Sequence, residues 1–222
     1  MEVYIKIPLI ILINYLIFTY AGFWFGILAL AISVYKILAL FGFIRNPIVY
    51  RASFLEGIAF TKDYIGPYDK LDAVFQEINQ IKNKFKLKDF VPIAIYYDKD
   101  KTIEPNKRKS SIGLYKKKKG NEISEEFNNY CIKNGFNKNE LPNAVSLFSS
   151  WEYSSNYTMK MGIEKFNKIM EHNLKNENFL KTFRVNEKDI KVLIEVYENS
   201  SLINFYIPFK KVDEFLIFKK DK

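Results

Sequence analysis

The sequence is poor in the residues that most often carry metal or redox chemistry. Its 222 residues include one cysteine, one histidine and nine glycines. The single cysteine, Cys131, excludes an intramolecular disulfide and fits a reducing compartment better than an oxidising one. His172 has no companion ligands for a metal site, and a Cys131–His172 nucleophilic pair lacks a third, orienting group. The sequence has no glycine-rich phosphate loop, so we expect no metal, no cofactor, no catalytic residues and no enzyme.

Charged residues are nearly missing from the N-terminal part of the chain. Its first forty residues contain only Glu2, Lys6 and Lys36 as charged groups, and the run from Ile7 to Tyr35 contains none. This run has about 29 residues, whereas about 20 cross a bilayer. A secretory signal peptide has a shorter apolar core of roughly 7–15 residues. The run therefore predicts a retained N-terminal transmembrane helix.

The apolar run also sets the predicted domain boundaries. Residues 1–44 form the anchor and membrane-proximal segment, residues 45–218 one domain, and residues 219–222 a short basic tail. Two courses of the anchor stay open: a single tilted helix that ends near residues 30–35, or a hairpin that dips back. The stretch from Ile37 to Ile44 is too short to cross a bilayer alone, so it is membrane, interface or first strand.

Flanking charges predict the orientation of this anchor. Lys36, Arg45 and Arg51 follow the apolar run, whereas Lys6 precedes it and is offset by Glu2. The positive-inside rule then places the C-terminal domain in the cytosol. We expect a single-pass protein whose partner is the lipid bilayer.

The formal net charge is +9, and most lysines are scattered. The one dense run is Lys116, Lys117, Lys118 and Lys119. It fits either the solvated end of a hairpin strand or a contact with anionic headgroups at a membrane surface. No nucleic-acid-binding motif is visible, so we expect no nucleic acid partner.

The rest of the chain alternates between strand-like and helix-like patterns. Strand character is predicted for residues 48–60, 91–97, 110–116, 145–153, 192–197 and 202–209, and helical spacing for residues 71–85, 123–131 and 163–174. Apart from the linking helix at 123–131, the order is β-α-β-β twice. This order predicts an α+β fold in which two repeats form one antiparallel sheet with helices on one face, preceded by the transmembrane helix.

Three local sequences carry a resemblance to a known family. They are Phe54-Leu55-Glu56-Gly57 ahead of Gly66-Pro67, Ala94-Ile95-Tyr96-Tyr97-Asp98 with Pro105 and Lys107, and Leu193-Ile194-Glu195-Val196-Tyr197 followed by Tyr206-Ile207-Pro208. Over nearly its whole length the chain resembles the testis-expressed protein 264 family, whose domain is GyrI-like and SOUL-related. The resemblance implies an endoplasmic reticulum membrane protein that acts as a receptor in reticulophagy, the autophagy of that organelle. It also implies two protein partners: an autophagy ubiquitin-like protein, and an AAA+ segregase for which the chain is an adaptor.

Glu195 is the carboxylate that stands out, because it lies inside an apolar strand and shares a face with Leu193 and Tyr197. In the GyrI-like superfamily the corresponding glutamate faces a groove between the repeats. The resemblance therefore implies a ligand groove formed by Tyr97, Trp151, Glu195 and Tyr197. The residue pattern alone leaves three roles open for Glu195: an exposed rim residue, a ligand contact, or a general base. A buried carboxyl group near tyrosines has a raised pKa, which favours the last two roles.

The expected function is that of a membrane-anchored GyrI-like adaptor of the endoplasmic reticulum that acts by binding proteins. The first alternative is a membrane-tethered sensor or carrier of a small hydrophobic ligand. The second is a hydrolase of the same fold that uses Glu195.

Overall fold

The computed structural model describes residues 2–97, 103–117, 123–199 and 201–218. Within this described part the helices are α1 (Glu2–Ala21), α2 (Phe23–Leu40), α3 (Asp72–Lys84), α4 (Glu125–Lys133), α5 (Asn156–Leu174) and α6 (Glu177–Phe183). The strands are β1 (Tyr50–Phe54), β2 (Gly57–Ile65), β3 (Val91–Tyr96), β4 (Lys109–Lys117), β5 (Asn137–Leu141), β6 (Ala144–Glu152), β7 (Leu193–Asn199) and β8 (Leu202–Pro208). Short 3₁₀ turns cover Tyr68–Lys70, Pro105–Lys107, Glu187–Asp189 and Val212–Phe215. The predicted basic tail at 219–222 lies outside the described residues.

The chain divides into two compact units. The first unit contains Met1–Pro47 and Trp151–Met170, and the second contains Ile48–Ser150 and Glu171–Lys222.

In the first unit, the uninterrupted apolar run forms two helices. Gly22 has a φ of +92°, a conformation that favours glycine, and it separates α1 from α2. The uncharged part of α1 ends at Ala21, and that of α2 runs only from Phe23 to Tyr35. Each part is therefore shorter than the about 20 residues that cross a bilayer. The stretch from Ile37 onward completes α2 as far as Leu40 and does not begin a strand.

Across the described residues, no helix is both long enough and apolar enough to cross a membrane. The predicted N-terminal transmembrane helix is therefore wrong. The predicted location depended on that helix, so the interpretation as a single-pass endoplasmic reticulum membrane protein with a cytosolic domain is wrong as well.

Polar contacts fix the two helices and the end of α2. Asn14 Nδ2 of α1 donates a hydrogen bond to Ser33 Oγ of α2 at 2.7 Å. Lys165 Nζ of α5 donates to the carbonyl oxygens of Gly42, Phe43 and Arg45 at 2.7, 2.9 and 2.7 Å. These carbonyl groups lie in the segment after α2, so the ammonium group fixes the path of the chain beyond that helix.

The second unit contains one eight-stranded sheet, counted over the described residues, with the order β1-β6-β8-β7-β3-β4-β2-β5. The pairings β1–β6, β2–β4, β2–β5, β3–β4, β3–β7 and β7–β8 are all antiparallel. The chain passes through β2-α3-β3-β4 and then β6-α5-β7-β8, so the order β-α-β-β occurs twice. The fold is α+β.

The two faces of this sheet have separate apolar cores. One core joins Ala94 and Ile112 to Ile78 of α3 and Phe127 of α4. The other includes Ile93, Ile95, Ile194 and Val196 with Val212 and Phe215 of the last 3₁₀ turn. Side chains alternate between the faces along each strand, and the helix side of β7 carries the candidate site described below.

Two strands differ from the sequence-based expectation. The predicted strand at residues 48–60 is divided at Leu55 and Glu56 into β1 and β2, which occupy different places in the sheet. The edge strand β5 was not predicted, because its sequence Asn-Lys-Asn-Glu-Leu has no β-branched residue and no apolar alternation.

Candidate functional site

A buried carboxyl group lies in the middle of β7, a central strand of the sheet. Glu195 pairs in register with Ala94 of β3 on one side and with Phe205 of β8 on the other. Its side chain is 2% exposed. Because paired residues share a face, the carboxyl group points to the same side as Ala94, the side covered by α3 and α4.

Two tyrosines bind the carboxyl group through a single oxygen. The hydroxyl groups of Tyr96 and Tyr197 donate hydrogen bonds to Glu195 Oε2 at 3.0 and 2.8 Å. Tyr197 lies on the face of Glu195 because it follows by two residues in the same strand. Tyr96 reaches it from β3, where it pairs with Leu193. The described residues donate no hydrogen bond to the second oxygen, Oε1, which leaves that oxygen available to a ligand.

Burial determines the protonation of this group. It raises the pKa of Glu195 to about 7, and the hydrogen bonds from Tyr197 and Tyr96 act in the opposite direction. Burial and the nearby carboxyl group also raise the pKa of Tyr96 well above its usual value. The carboxyl group therefore changes its charge near neutral pH, and the Tyr96 phenol stays protonated as a donor.

Aromatic rings pack on the two phenols that bind the carboxyl group. The Tyr68 ring meets the Tyr96 ring edge-on at 4.8 Å between centroids, and Phe75 of α3 meets Tyr197 in the same way at 5.0 Å. The Arg108 guanidinium lies 5.6 Å above the Tyr68 ring. We name Tyr68 and Phe75 the aromatic cover. Glu195 is almost fully enclosed, so a ligand can reach it only if surrounding side chains move.

Within the described part of the chain, the buried acid has no fixed counter-ion. Among the described residues, no lysine or arginine forms an ion pair with Glu195. The same part of the chain has no cluster of three histidine, cysteine, aspartate or glutamate side chains able to hold a metal ion. A buried, unpaired carboxylate is unfavourable by several kcal/mol as a rule. The arrangement therefore favours a cationic or hydrogen-bond-donating guest.

The structure brings together only some of the residues expected to form the groove. Glu195 and Tyr197 are in contact, whereas Tyr97 lies on the opposite face of the sheet, where it packs against the other core. Its hydroxyl donates to Ser111 Oγ at 2.9 Å, and Ser111 Oγ donates to Asp63 Oδ1 at 2.6 Å. Adjacent residues of a strand point to opposite faces, so Tyr96 takes the place expected for Tyr97.

Trp151 belongs to the first unit and is 1% exposed there. Its Nε1 donates to the Thr158 carbonyl at 2.9 Å. The Arg45 guanidinium stacks 4.1 Å from the ring centroid, and Gly162 lies so close that a methyl group there would meet the ring at 2.3 Å. These contacts are those of a packed structural residue. Its membership of the ligand groove stays a prediction.

The first two lysines of the run, Lys116 and Lys117, are the last residues of strand β4. Lys116 is 8% exposed, with its ammonium group 5.6 Å from the Phe90 ring centroid. Lys117 Nζ forms an ion pair with Glu198 Oε1 at 2.8 Å. Lys118 and Lys119 lie outside the described residues.

Sequence reasoning missed the aromatic cover. Tyr68 follows the Gly66-Pro67 turn, and Phe75 is one of several apolar residues in the amphipathic pattern of α3. The Gly66-Pro67 turn indicates that the chain changes direction just before Tyr68. By residue type, however, Tyr68 and Phe75 cannot be distinguished from ordinary aromatic residues of the core.

No protein-family model matches the sequence, and the search of curated proteins finds no significant match. Several solved structures align with most of the chain at low sequence identity. The C-terminal domain of EcmrR has a TM-score of 0.44 and 9% identity, with 73% of this chain and 96% of that chain covered. SAV2435 bound to tetraphenylphosphonium has a TM-score of 0.45, 9% identity, and coverage of 75% and 95%. A hydrolase from Listeria innocua has a TM-score of 0.42, 10% identity, and coverage of 75% and 94%.

The EcmrR domain and SAV2435 have TM-scores below 0.5 against this chain, so these matches do not establish its family. The narrower resemblance to the testis-expressed protein 264 family is not confirmed by these matches. The reticulophagy receptor role is likewise unsupported.

Proposed function

We propose that the second unit binds a lipophilic organic cation, with Glu195 as the group that neutralises the ligand's charge. The supporting observation is the buried Glu195 carboxyl group, which has two phenol donors on Oε2 and no cationic partner among the described residues. A bound cation would supply the missing counter-charge in a medium of low dielectric constant. The surrounding rings of Tyr68, Tyr96 and Phe75 would meet the ligand's apolar and charged surfaces.

The raised pKa fits the same role. At neutral pH the free site holds a proton about half of the time, since the pKa of Glu195 is about 7. A cation would favour the ionised carboxylate and displace that proton. The empty site is thus ionised in only about half of the molecules at neutral pH, and a bound cation would bring the remaining carboxyl groups to the ionised, paired form.

Titration calorimetry with tetraphenylphosphonium at pH 8 tests this function in the full-length protein. The matched control ligand is tetraphenylborate, which has the same shape and the opposite charge. We expect the phosphonium to bind and the borate not to bind. Glu195→Gln should weaken phosphonium binding by at least about tenfold, the effect of losing roughly 1.4 kcal/mol.

Glu198→Gln is the matched control variant, because it removes a carboxylate from the same strand while leaving Glu195 in place. It should bind the phosphonium as the unmodified protein does. Equal binding of both ligands, or equal affinity of the Glu195→Gln variant, would reject the proposal.

A second candidate is hydrolysis of a small activated substrate. It is favoured by one observation: a pKa of Glu195 of about 7 is near the value that suits a general base at neutral pH. Turnover of 4-nitrophenyl acetate that is lost in Glu195→Gln and kept in Glu198→Gln would support it. Turnover that is unchanged in Glu195→Gln, or absent from the unmodified protein, would exclude it for this ester.

A further inference from the structure

A second buried polar group lies on the same face as the carboxyl group. Ser110 of β4 is fully buried, and its Oγ has no hydrogen-bond partner among the described residues. The neighbouring Ser111, in contrast, has a fully paired hydroxyl group, which accepts a hydrogen bond from Tyr97 and donates one to Asp63. Buried hydroxyl groups almost always have a partner, so an unpaired one calls for an explanation.

The register places Ser110 beside the candidate site. Tyr96 pairs with Ser110 on one side and with Leu193 on the other. Residues directly opposite each other in a sheet share a face. Ser110 is therefore on the Glu195 side, separated from β7 by the single strand β3.

The aromatic cover extends to this second group. Tyr68, whose ring packs on Tyr96, donates its hydroxyl hydrogen bond to the Lys109 carbonyl at 3.2 Å, next to Ser110 in the chain. Tyr64 pairs with Ser110 from β2, and its hydroxyl donates to the Pro67 carbonyl at 3.1 Å. Tyr68 therefore contacts both the Tyr96 ring, whose hydroxyl binds Glu195, and the backbone next to Ser110.

Resting on the proposed function, we propose that Ser110 is a specificity-determining residue of the cation site. Its hydroxyl binds a neutral hydrogen-bonding group that the ligand carries at a distance from its positive charge. The ligand class is then an organic cation with an alcohol, ether or carbonyl group, its charge at Glu195 and its polar group one strand away. A buried hydroxyl without a hydrogen-bond partner is unfavourable in the empty site. An alanine at position 110 would keep the same backbone and avoid this cost.

The test compares two cations of the same shape in titration calorimetry at pH 8. One is (4-hydroxymethylphenyl)triphenylphosphonium, and the other is its 4-ethylphenyl counterpart, in which a methyl group replaces the hydroxyl. The unmodified protein should prefer the alcohol by about fivefold, the ratio that one net buried hydrogen bond supplies. Ser110→Ala should reduce this ratio to about one while leaving the affinity for the ethyl compound within about twofold.

Ser149→Ala is the matched control, because Ser149 is also a fully buried serine with an unpartnered hydroxyl. It lies in β6, four strands from β4 in the sheet order. This variant should keep the preference of the unmodified protein for the alcohol.

The outcomes separate this inference from the proposed function. Glu195-dependent binding of both cations without a preference for the alcohol, or a preference that survives Ser110→Ala, overturns the role of Ser110 alone. Failure of both cations to bind overturns the proposed function and the inference together.

Discussion

Tyr197 donates a hydrogen bond of 2.8 Å to Oε2 of Glu195, two positions earlier in the same strand. The contact is possible because residues two apart in a strand point to the same face. It holds the carboxyl group against the sheet and supports the ionised form that burial opposes. The balance between these two effects, burial and hydrogen bonding, governs the properties expected of the site.

The first prediction concerns stability and pH. Burial raises the pKa of Glu195 from 4.5 to about 7, so between these values the folded protein holds a proton that the unfolded chain has released. The free energy of unfolding should therefore fall as the pH rises through this window, by roughly 3 kcal/mol from this group. Glu195→Gln should lack this fall and be the more stable protein at pH 8. Urea unfolding of both proteins at pH 5, 6, 7 and 8 measures the difference.

The control for this measurement is Glu198→Gln, which should keep the slope of the unmodified protein. Parallel stability curves for Glu195→Gln and the unmodified protein would show that the carboxyl group is not buried as described.

The second prediction concerns the phenol donor. Tyr197→Phe removes a hydrogen bond that lowers the pKa of Glu195, so this pKa should rise above its value of about 7. Carboxyl carbon NMR with labelled glutamate follows the titration directly. Tyr97→Phe is the matched control, since Tyr97 binds Ser111 on the opposite face. If Tyr97→Phe shifted the titration and Tyr197→Phe did not, the assignment of the two tyrosines would be refuted.

The third prediction concerns the support of β4. A methyl group added at Gly113 would lie 1.8 Å from the Phe60 carbonyl oxygen of β2. Gly113→Ala should therefore lower the free energy of unfolding by about 3 kcal/mol or more, because backbone atoms must separate. At Gly135 the added methyl group meets nothing within 4 Å, although φ is +80°. Gly135→Ala should lower the free energy of unfolding by only about 1–2 kcal/mol. A Gly113→Ala protein as stable as Gly135→Ala in urea would contradict the close β2–β4 pairing.

The fourth prediction concerns the first unit. Lys165→Ala removes hydrogen bonds to three carbonyl groups at the end of α2, and it should lower the free energy of unfolding by about 2 kcal/mol. Lys168→Ala, an exposed lysine of the same helix, should change it by less than about 0.5 kcal/mol. Urea unfolding followed by tryptophan fluorescence compares the two, because Trp151 packs in this unit. Equal effects of the two substitutions would show that the carbonyl contacts of Lys165 do not stabilise the protein.

The sequence carries enough information for the two β-α-β-β repeats, although not for β5 or α6, and for the relation of Glu195 to Tyr197. Both follow from periodicity, which is a local property. The choice between Tyr96 and Tyr97 is different. The strand Val-Pro-Ile-Ala-Ile-Tyr is buried on both faces, so it has no alternation that would show which tyrosine faces the carboxyl group.

The error at the N-terminus has a similar origin. Apolar composition alone cannot distinguish one long helix from two shorter ones, and the decisive residue is Gly22 with its positive φ. Tyr68, Phe75 and Ser110 reach the site through tertiary packing and strand register. Tertiary packing and strand register cannot be deduced from the spacing of residues in the sequence.

The central claim is that a cation takes the place of a proton at Glu195, and counting protons on binding tests it most directly. Titration calorimetry with tetraphenylphosphonium, repeated in buffers of different ionisation enthalpy, gives the number of protons released. Since the pKa of Glu195 is about 7, we expect the protein to release close to one proton per cation at pH 6 and almost none at pH 8.5. Glu195→Gln should release none at either pH. Proton release that is the same at both pH values, or the same in the variant, would contradict the claim.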